Sequence, residues 1–273
     1  MNITEINEIA KSVEQNGVIY KKKFIDIKTV IKIKKILDKN NAVEKTNPDG
    51  IFSLSYRQML KDLLLLKINR FLSSLFLKHI NNKLGFEKIA EKIFLEKSKL
   101  VVVDGYISKI SDKEILDWHQ DQAYSGRKVV NDEEIKSPDD SFIKFFLFLT
   151  PVKKDNGILS YIPGSHKISI ALKKAIYEKK IQYEPFWKLD DFYRLVKKEK
   201  EIILNYVSKK KYNSFLESAK FIETSKDIDT YDQNLNAGDI MIFNEHGVHR
   251  ASKPSINDRY VLRFSYSRKR FKN

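Results

Sequence analysis

Five histidines, at positions 79, 119, 166, 246 and 249, are the whole stock of imidazoles, and cysteine is absent. A thiolate metal site, a disulfide framework and a cysteine nucleophile are therefore excluded, and a metal or acid–base site must draw on few side chains. His119 and Asp121 form a His-x-Asp pair. Alternate residues of a strand share a face, so this imidazole and carboxylate can converge on one ion. His249 is the best candidate for a third ligand, because it follows a Gly238-Asp239 turn and an apolar strand ending at Phe243; His246 is its rival. Two neutral imidazoles and one carboxylate on one face of an octahedron leave three positions open. That arrangement suits non-haem Fe(II) binding a cosubstrate and O2 together.

Arg259 sits ten residues after His249, at the start of an apolar strand running through Val261, Leu262 and Phe264 to Tyr266. A guanidinium pointing into a barrel is costly unless it meets an anion, and its fork matches a carboxylate in two parallel hydrogen bonds. It is a candidate anchor for a dicarboxylate, against the alternative of a rim pairing with Asp258 or Glu245. Arg263 shares its strand parity and is a candidate for contacting a charged substrate, or for a rim salt bridge. Trp118, beside His119, either walls the pocket or belongs to the core. His166 belongs to a Pro-Gly-Ser-His turn and reads as structural.

These residues need strands to carry them. From Leu100 the apolar period shortens, and Leu100–Ile110, Ser141–Pro151, Ile158–Ile162, Asp239–Asn244 and Arg259–Tyr266 read as strands. Several short strands with turns between them predict a sandwich or barrel. The first 99 residues read as mostly helical support, with an extended piece at Gly17–Phe24, helices at Ile25–Leu37 and Gln58–Leu84, and a loop at Asp38–Gly50. Between the barrel parts 100–169 and 232–273, residues 170–231 read as a helical insertion. Without repeats, Gly/Ser linkers or low-complexity tracts, one domain over 1–273 is the simplest division.

The 42% hydrophobic content of the 273 residues excludes wholesale disorder. The longest apolar runs fall far short of the roughly 20 residues that cross a bilayer. Met1–Ala10 lacks the pattern of a secretory signal, and the lack of cysteine fits a reducing cytoplasm. The net charge of +15 points towards nucleic acid or an acidic partner. Only nine of the 51 basic residues are arginine, however, and the lysines are scattered, so solvated faces explain the charge better and nucleic acid is not the expected partner. A non-catalytic barrel protein using that basic surface is the alternative to an enzyme with a small-molecule substrate.

The sequence resembles the phytanoyl-CoA dioxygenase family of Fe(II)/2-oxoglutarate oxygenases. The resemblance is carried by Trp118-His119-Gln120-Asp121, by Asn156 to Lys167 with its Pro-Gly-Ser-His turn, by Gly238-Asp239 through Phe243 to His249, and by Arg259 to Tyr266. Asn16–Tyr20 with the following helix is similar to the family's opening. The resemblance implies a mainly β protein with flanking helices, built on a double-stranded β-helix (jelly-roll, cupin-like) core. It implies Fe(II) held by His119, Asp121 and His249, 2-oxoglutarate held through its 5-carboxylate by Arg259, and O2 as oxidant. Where the family often has a serine two residues after the distal histidine, this chain has Ala251 followed by Ser252. The second contact to the carboxylate therefore falls to Ser252, Tyr106 or Lys109. The implied reaction hydroxylates an unactivated C–H bond of a small metabolite or acyl thioester, since a halogenase would carry a small side chain in place of Asp121. Residues 131–140 and 170–231 are the lid candidates, the latter offering Tyr183, Phe186, Trp187, Phe192 and Tyr193 with Lys188, Arg194, Lys197 and Lys198 to an anionic or polar substrate. Oligomeric state is not legible.

Overall fold

Alternation along the apolar strands sorts their side chains between two layers, and that sorting builds the molecule. The computed structural model describes residues 1–39, 56–113, 115–121, 137–139, 141–154, 156–224 and 231–269. The expected loop 38–50 and the lid candidate 131–140 lie largely outside them. In chain order the elements are α1 (Ile3–Asn16), β1 (Val18–Lys21), α2 (Ile27–Lys39), α3 (Tyr56–Leu64), α4 (Ile68–Leu84), α5 (Phe86–Phe94), β2 (Ser98–Ser108), β3 (Leu116–His119), β4 (Phe142–Phe148) and β5 (Leu159–Tyr161). There follow α6 (Ser165–Tyr177), α7 (Leu189–Lys198), α8 (Lys200–Ile203), α9 (Lys209–Thr224), β6 (Ile240–Asn244), β7 (His249–Ala251) and β8 (Arg259–Arg268). The strands form two antiparallel sheets, one in the order β1-β6-β4-β8-β2 and one in the order β3-β7-β5.

In the larger sheet, Ile143, Phe145 and Leu147 of β4, Ile240 and Ile242 of β6, and Leu262, Phe264 and Tyr266 of β8 point to one side. There they bury against Ile6, Ile9 and Val13 of α1, Ile33 and Leu37 of α2, and Phe86 and Ile89 of α5. The intervening residues Phe148, Met241, Phe243 and Val261 point the other way and meet Leu159, Tyr161 and Ala251 of the smaller sheet. The outer side of the smaller sheet is covered by α6 to α9 through Trp118, Ile168, Leu172, Phe186, Phe192, Phe215 and Val248. The space between the sheets is thus reached by every second residue of each strand.

The expected strands are present with boundaries shifted by a few residues, and the extended piece near Val18 pairs with β6 as an edge strand. The segment expected as one helix over 58–84 is two. Leu66 adopts φ 56, and the chain breaks between α3 and α4. Its periodic leucines do not form a buried stripe: Leu60 and Leu64 are exposed, and α4 buries Ser73, Ser74, Leu77 and Ile80 instead. The helices of the insertion begin at Ser165, inside the Pro-Gly-Ser-His turn, rather than at 170.

Phe86 joins the helical layer to the sheet. Fully buried, its ring lies 4.5 Å from Phe145 and 5.2 Å from Phe264, centroid to centroid. Replacement by alanine removes these contacts and leaves a cavity that rigid neighbours cannot fill. Phe86→Ala is expected to cost about 3–5 kcal/mol in urea unfolding; a loss below about 1 kcal/mol would show that the layer is not packed as described.

Candidate metal centre

β3 and β7 pair so that His119 lies opposite His249, with ring centroids 4.4 Å apart. Each imidazole is turned by its own backbone. His119 Nδ1 lies 2.6 Å from the carbonyl of Asp117, and His249 Nδ1 lies 2.9 Å from that of Gly247. A carbonyl only accepts, so both Nδ1 atoms carry the proton and both Nε2 atoms present lone pairs, the tautomer a metal ligand needs. Those Nε2 atoms face Asp121, just past the end of β3. His119 Nε2 is 3.6 Å from Oδ1 and His249 Nε2 is 3.1 Å from Oδ2. One ligand atom from each of the three side chains lies within 4.8 Å of the other two. His119 Nε2 is buried without a hydrogen-bond partner. A buried lone pair with nothing to accept, beside a second imidazole and a carboxylate, fits a divalent transition metal.

Asp121 also meets Lys144 of β4, whose Nζ is 2.7 Å from Oδ2 and 3.1 Å from Glu245 Oε2. Burial raises the Asp121 pKa, but its neighbours, the Lys144 ammonium first among them, outweigh it and hold the carboxyl well below its usual range. Burial likewise lowers the Lys144 pKa, and the two carboxylates more than reverse this, so it remains a cation.

Arg259 opens β8 on the same interior face. It is 4% exposed, and its Nε and Nη2 have no hydrogen-bond partner. Burial pushes its pKa down to about 10. A glycine makes room for it: a Cβ on Gly157, which has φ +68, would sit 2.3 Å from Arg259 Cδ. Ser252 is buried in the same neighbourhood, its N–H donating to the carbonyl of Ile158 and its Oγ unpartnered. A buried guanidinium and hydroxyl left without acceptors fit an anionic group such as the 5-carboxylate of 2-oxoglutarate. Tyr106 also faces this interior, its ring 5.0 Å from the Arg263 guanidinium.

Three of the candidate residues have other partners in the structure. Lys109 is exposed and paired with Asp258 at 2.8 Å, because it follows β2 outside the sheet interior. Trp118 faces away from the site, as the residue next to His119 on a strand must. It packs with the insertion helices, edge-on to Tyr231. Arg263 faces inward, but its fork is taken by Asp104 at 2.8 and 2.5 Å. The insertion's cations also point elsewhere: Arg194 and Lys198 pair with Glu184 on the surface, while Phe186 and Phe192 are fully buried core. The insertion does approach the site through Trp187 and through Lys188, whose backbone bridges to His119. The Trp187 ring lies 5.7 Å from His119, and its carbonyl accepts from the N–H of Gln120.

The other histidines are placed away from the donor set. His79 is exposed on α4. His246 accepts from Lys173 Nζ at 2.8 Å through Nδ1 and donates to the Pro138 carbonyl through Nε2. His166 bonds the Glu14 carbonyl, and Ser165 Oγ donates to Ile162 while accepting from the N–H of Val248, tying the turn to β7. Lys144 was missed in the sequence, and Glu245 was weighed only as a rim partner of Arg259. The signal for Lys144 was a lone lysine inside the apolar run 142–149.

The facing antiparallel sheets with this donor set place the chain among 2-oxoglutarate-dependent non-haem iron enzymes. The sequence model of the phytanoyl-CoA dioxygenase (PhyH) family matches residues 13–255, and the chain belongs to that family. It is accordingly an enzyme that uses iron, 2-oxoglutarate and O2. No curated protein matches it significantly in sequence. Its fold is similar to that of AviO1 from Streptomyces viridochromogenes Tue57, at TM-score 0.54 and 9% identity over 100% of this chain and 99% of that one. It is also similar to SnoN, the non-heme alpha ketoglutarate dependent epimerase from nogalamycin biosynthesis, at TM-score 0.52 and 11% identity over 98% and 84% of the two chains. HygX from Streptomyces hygroscopicus, solved with nickel and 2-oxoglutarate bound, matches at TM-score 0.50 and 15% identity over 97% and 88%. Among the described residues no helix is long and apolar enough to cross a membrane.

Burial holds His166 and His246 neutral in the folded chain, His166 with its pKa lowered from 6.5 to about 4. A depressed pKa means that the unfolded chain binds the extra proton, so the stability associated with it is full above the unfolded value and is lost as pH falls through the folded one. Unfolding free energy should fall between pH 6.5 and about 4. His166→Gln should flatten that slope by up to one proton, about 1.4 kcal/mol per pH unit, as read from urea midpoints; parallel slopes would contradict it.

Proposed function

We propose that this chain hydroxylates an unactivated C–H bond of a small organic substrate, with Fe(II) held by His119, Asp121 and His249 and the 5-carboxylate of 2-oxoglutarate held by Arg259 and Ser252. The observation that carries the reading is a pair of unmet demands in one interior. His119 Nε2 is a buried lone pair without a donor, and Arg259 is a buried fork without an acceptor. Both demands are costly to leave open and both are answered by one metal and one dicarboxylate. The two facing sheets support a double-stranded β-helix as the scaffold, and the shared cores on its two sides support reading the chain as one domain.

Bound iron, with 2-oxoglutarate as reductant and O2 as oxidant, supplies the oxidising power for the C–H bond while the cosubstrate leaves as succinate and CO2. The protein's own contribution is placement and exclusion of water. The carbonyls of Asp117 and Gly247 fix the two imidazoles, Arg259 sets the orientation of the cosubstrate, and Phe148 beneath the guanidinium, 5.9 Å from its centre, helps keep that end dry. Trp187 is placed to wall the metal's side of the pocket. Asp121 occupies the place that a halogenase leaves to chloride, so the reading is oxygen insertion. Arg263, Arg194 and Lys198 are paired with carboxylates, so an anionic substrate would have to draw on other cations.

The deciding experiment is a metabolite-library screen for substrate-stimulated, iron-dependent succinate release, followed by mass detection of one added oxygen; a chlorinated product in chloride buffer would contradict the reading. His249→Ala should abolish both Ni(II) binding and turnover, while His246→Ala, which removes a hydrogen-bonded core imidazole, should keep both. The reverse pattern would reassign the distal ligand. Arg259→Ala should weaken 2-oxoglutarate binding to the Ni(II)-loaded protein by about 2–5 kcal/mol in calorimetry, and an unchanged affinity would remove its assignment.

A further inference from the structure

Lys144 is the single charged residue of β4, in the run Phe142-Ile143-Lys144-Phe145-Phe146-Leu147-Phe148. Its strand neighbours on the same face, Phe146 and Phe148, are apolar, and the lysine side chain is only 7% exposed. Burying an ammonium is costly, and such a position is commonly as stable or more stable with an apolar residue. The charge is nonetheless present, and both of its partners are identified. Nζ sits 2.7 Å from Asp121 Oδ2 and 3.1 Å from Glu245 Oε2.

Glu245 is a fixed anchor. It is 1% exposed, and its Oε1 accepts from the N–H of Phe142 at 2.7 Å. It also lies in the turn between β6 and β7, four residues before His249. Lys144 therefore ties the carboxylate that follows β3 to the turn that leads into the distal histidine. Asp121 keeps 28% exposure, and among the described residues its oxygens meet this ammonium and the two imidazoles, which share in setting its orientation.

A carboxylate can ligate a cation through one oxygen or both. Ligation through both would take one of the three positions that a two-histidine, one-carboxylate set leaves open. We propose that Lys144 is a positioning residue for Asp121: anchored by Glu245, its ammonium occupies Oδ2, restricts Asp121 to one ligating oxygen and keeps the adjoining position open for 2-oxoglutarate. The proposal rests on the metal reading given above. A merely structural lysine would serve to neutralise Glu245, and that role disappears when Glu245 is itself made neutral.

The test compares Co(II)-loaded wild type, Lys144→Arg, Lys144→Met and the double variant Lys144→Met/Glu245→Gln, in which Glu245 is not left as a buried carboxylate facing a missing cation. The visible ligand-field spectrum of Co(II), recorded before any cosubstrate is added, reports the coordination; calorimetry then gives 2-oxoglutarate affinity. The expected result is an altered Co(II) spectrum and cosubstrate binding weaker by about tenfold or more in the folded lysine-free variants, with Lys144→Arg close to wild type. A wild-type spectrum in the folded double variant would overturn the proposal, including the case where Lys144 only touches the cosubstrate. Unchanged cosubstrate affinity, or loss of Co(II) itself from that variant, would overturn it as well. Failure of wild type to bind Co(II) in a His249-dependent way would count against the metal reading and take this proposal with it.

Discussion

A carboxylate shared by an ammonium and two imidazoles is the constraint around which the interior is arranged. Asp121 keeps part of its surface exposed, and the two imidazoles and the ammonium converge on its two oxygens. Each of those groups needs its own support in turn. The imidazoles are turned by the carbonyls of Asp117 and Gly247, and the ammonium by Glu245, which Phe142 holds through its N–H. Low local dielectric makes this arrangement strong when complete and costly when any member is missing. Elements far apart in the chain are thereby committed to one geometry: β3, β4 and the turn before β7 cannot shift singly without exposing an unpaired charge.

Strand alternation is what lets a mainly apolar protein carry such a cluster. In β8 the outward residues Leu262, Phe264 and Tyr266 fill the helical core, while Arg259, Val261, Arg263 and Ser265 look inward. In β4 the outward set is Ile143, Phe145 and Leu147, and Lys144 looks inward. The core and the site are two faces of the same strands, so packing on one side fixes the angle of the ligands on the other. A cavity opened at Phe86, under Phe145 and Phe264, acts on the strands that present Lys144 and Arg263.

Much of this was legible in the sequence, because it depends on local pattern. The His-x-Asp pair, the apolar strand before His249 and the arginine opening β8 each announce themselves by spacing, and the structure brings the three donor side chains together. Other features depend on who the neighbour is, which spacing does not say. Arg263 shares parity with Arg259, yet Asp104 across the β2–β8 pairing claims it, whereas Nε and Nη2 of Arg259 have no partner among the described residues. Lys109 is past the last paired residue of β2 and so escapes to the surface. Trp118 is a different case: the alternation that turns His119 inward turns its neighbour outward, which selects the core from the two places the sequence left open. Leu60 and Leu64 failed for the opposite reason, since a helical period was present but the break at Leu66 removed the long helix it implied.

The charges between the sheets also bear on what can enter. Among the described residues, the cations Lys144, Arg259 and Arg263 face the carboxylates of Asp104, Asp121 and Glu245. Of these, only Arg259 lacks a hydrogen-bonding carboxylate partner for its inward nitrogens. Iron would bring two positive charges and 2-oxoglutarate two negative ones, a pair that adds no net charge to the interior. The basic surface therefore says little about the pocket: its lysines are solvated or paired outside, while the inner charges cancel over a few ångströms and their fields with them. Under the function proposed above, selection of a substrate in such an interior would fall to shape and hydrogen bonding, with Trp187 a large surface placed beside His119.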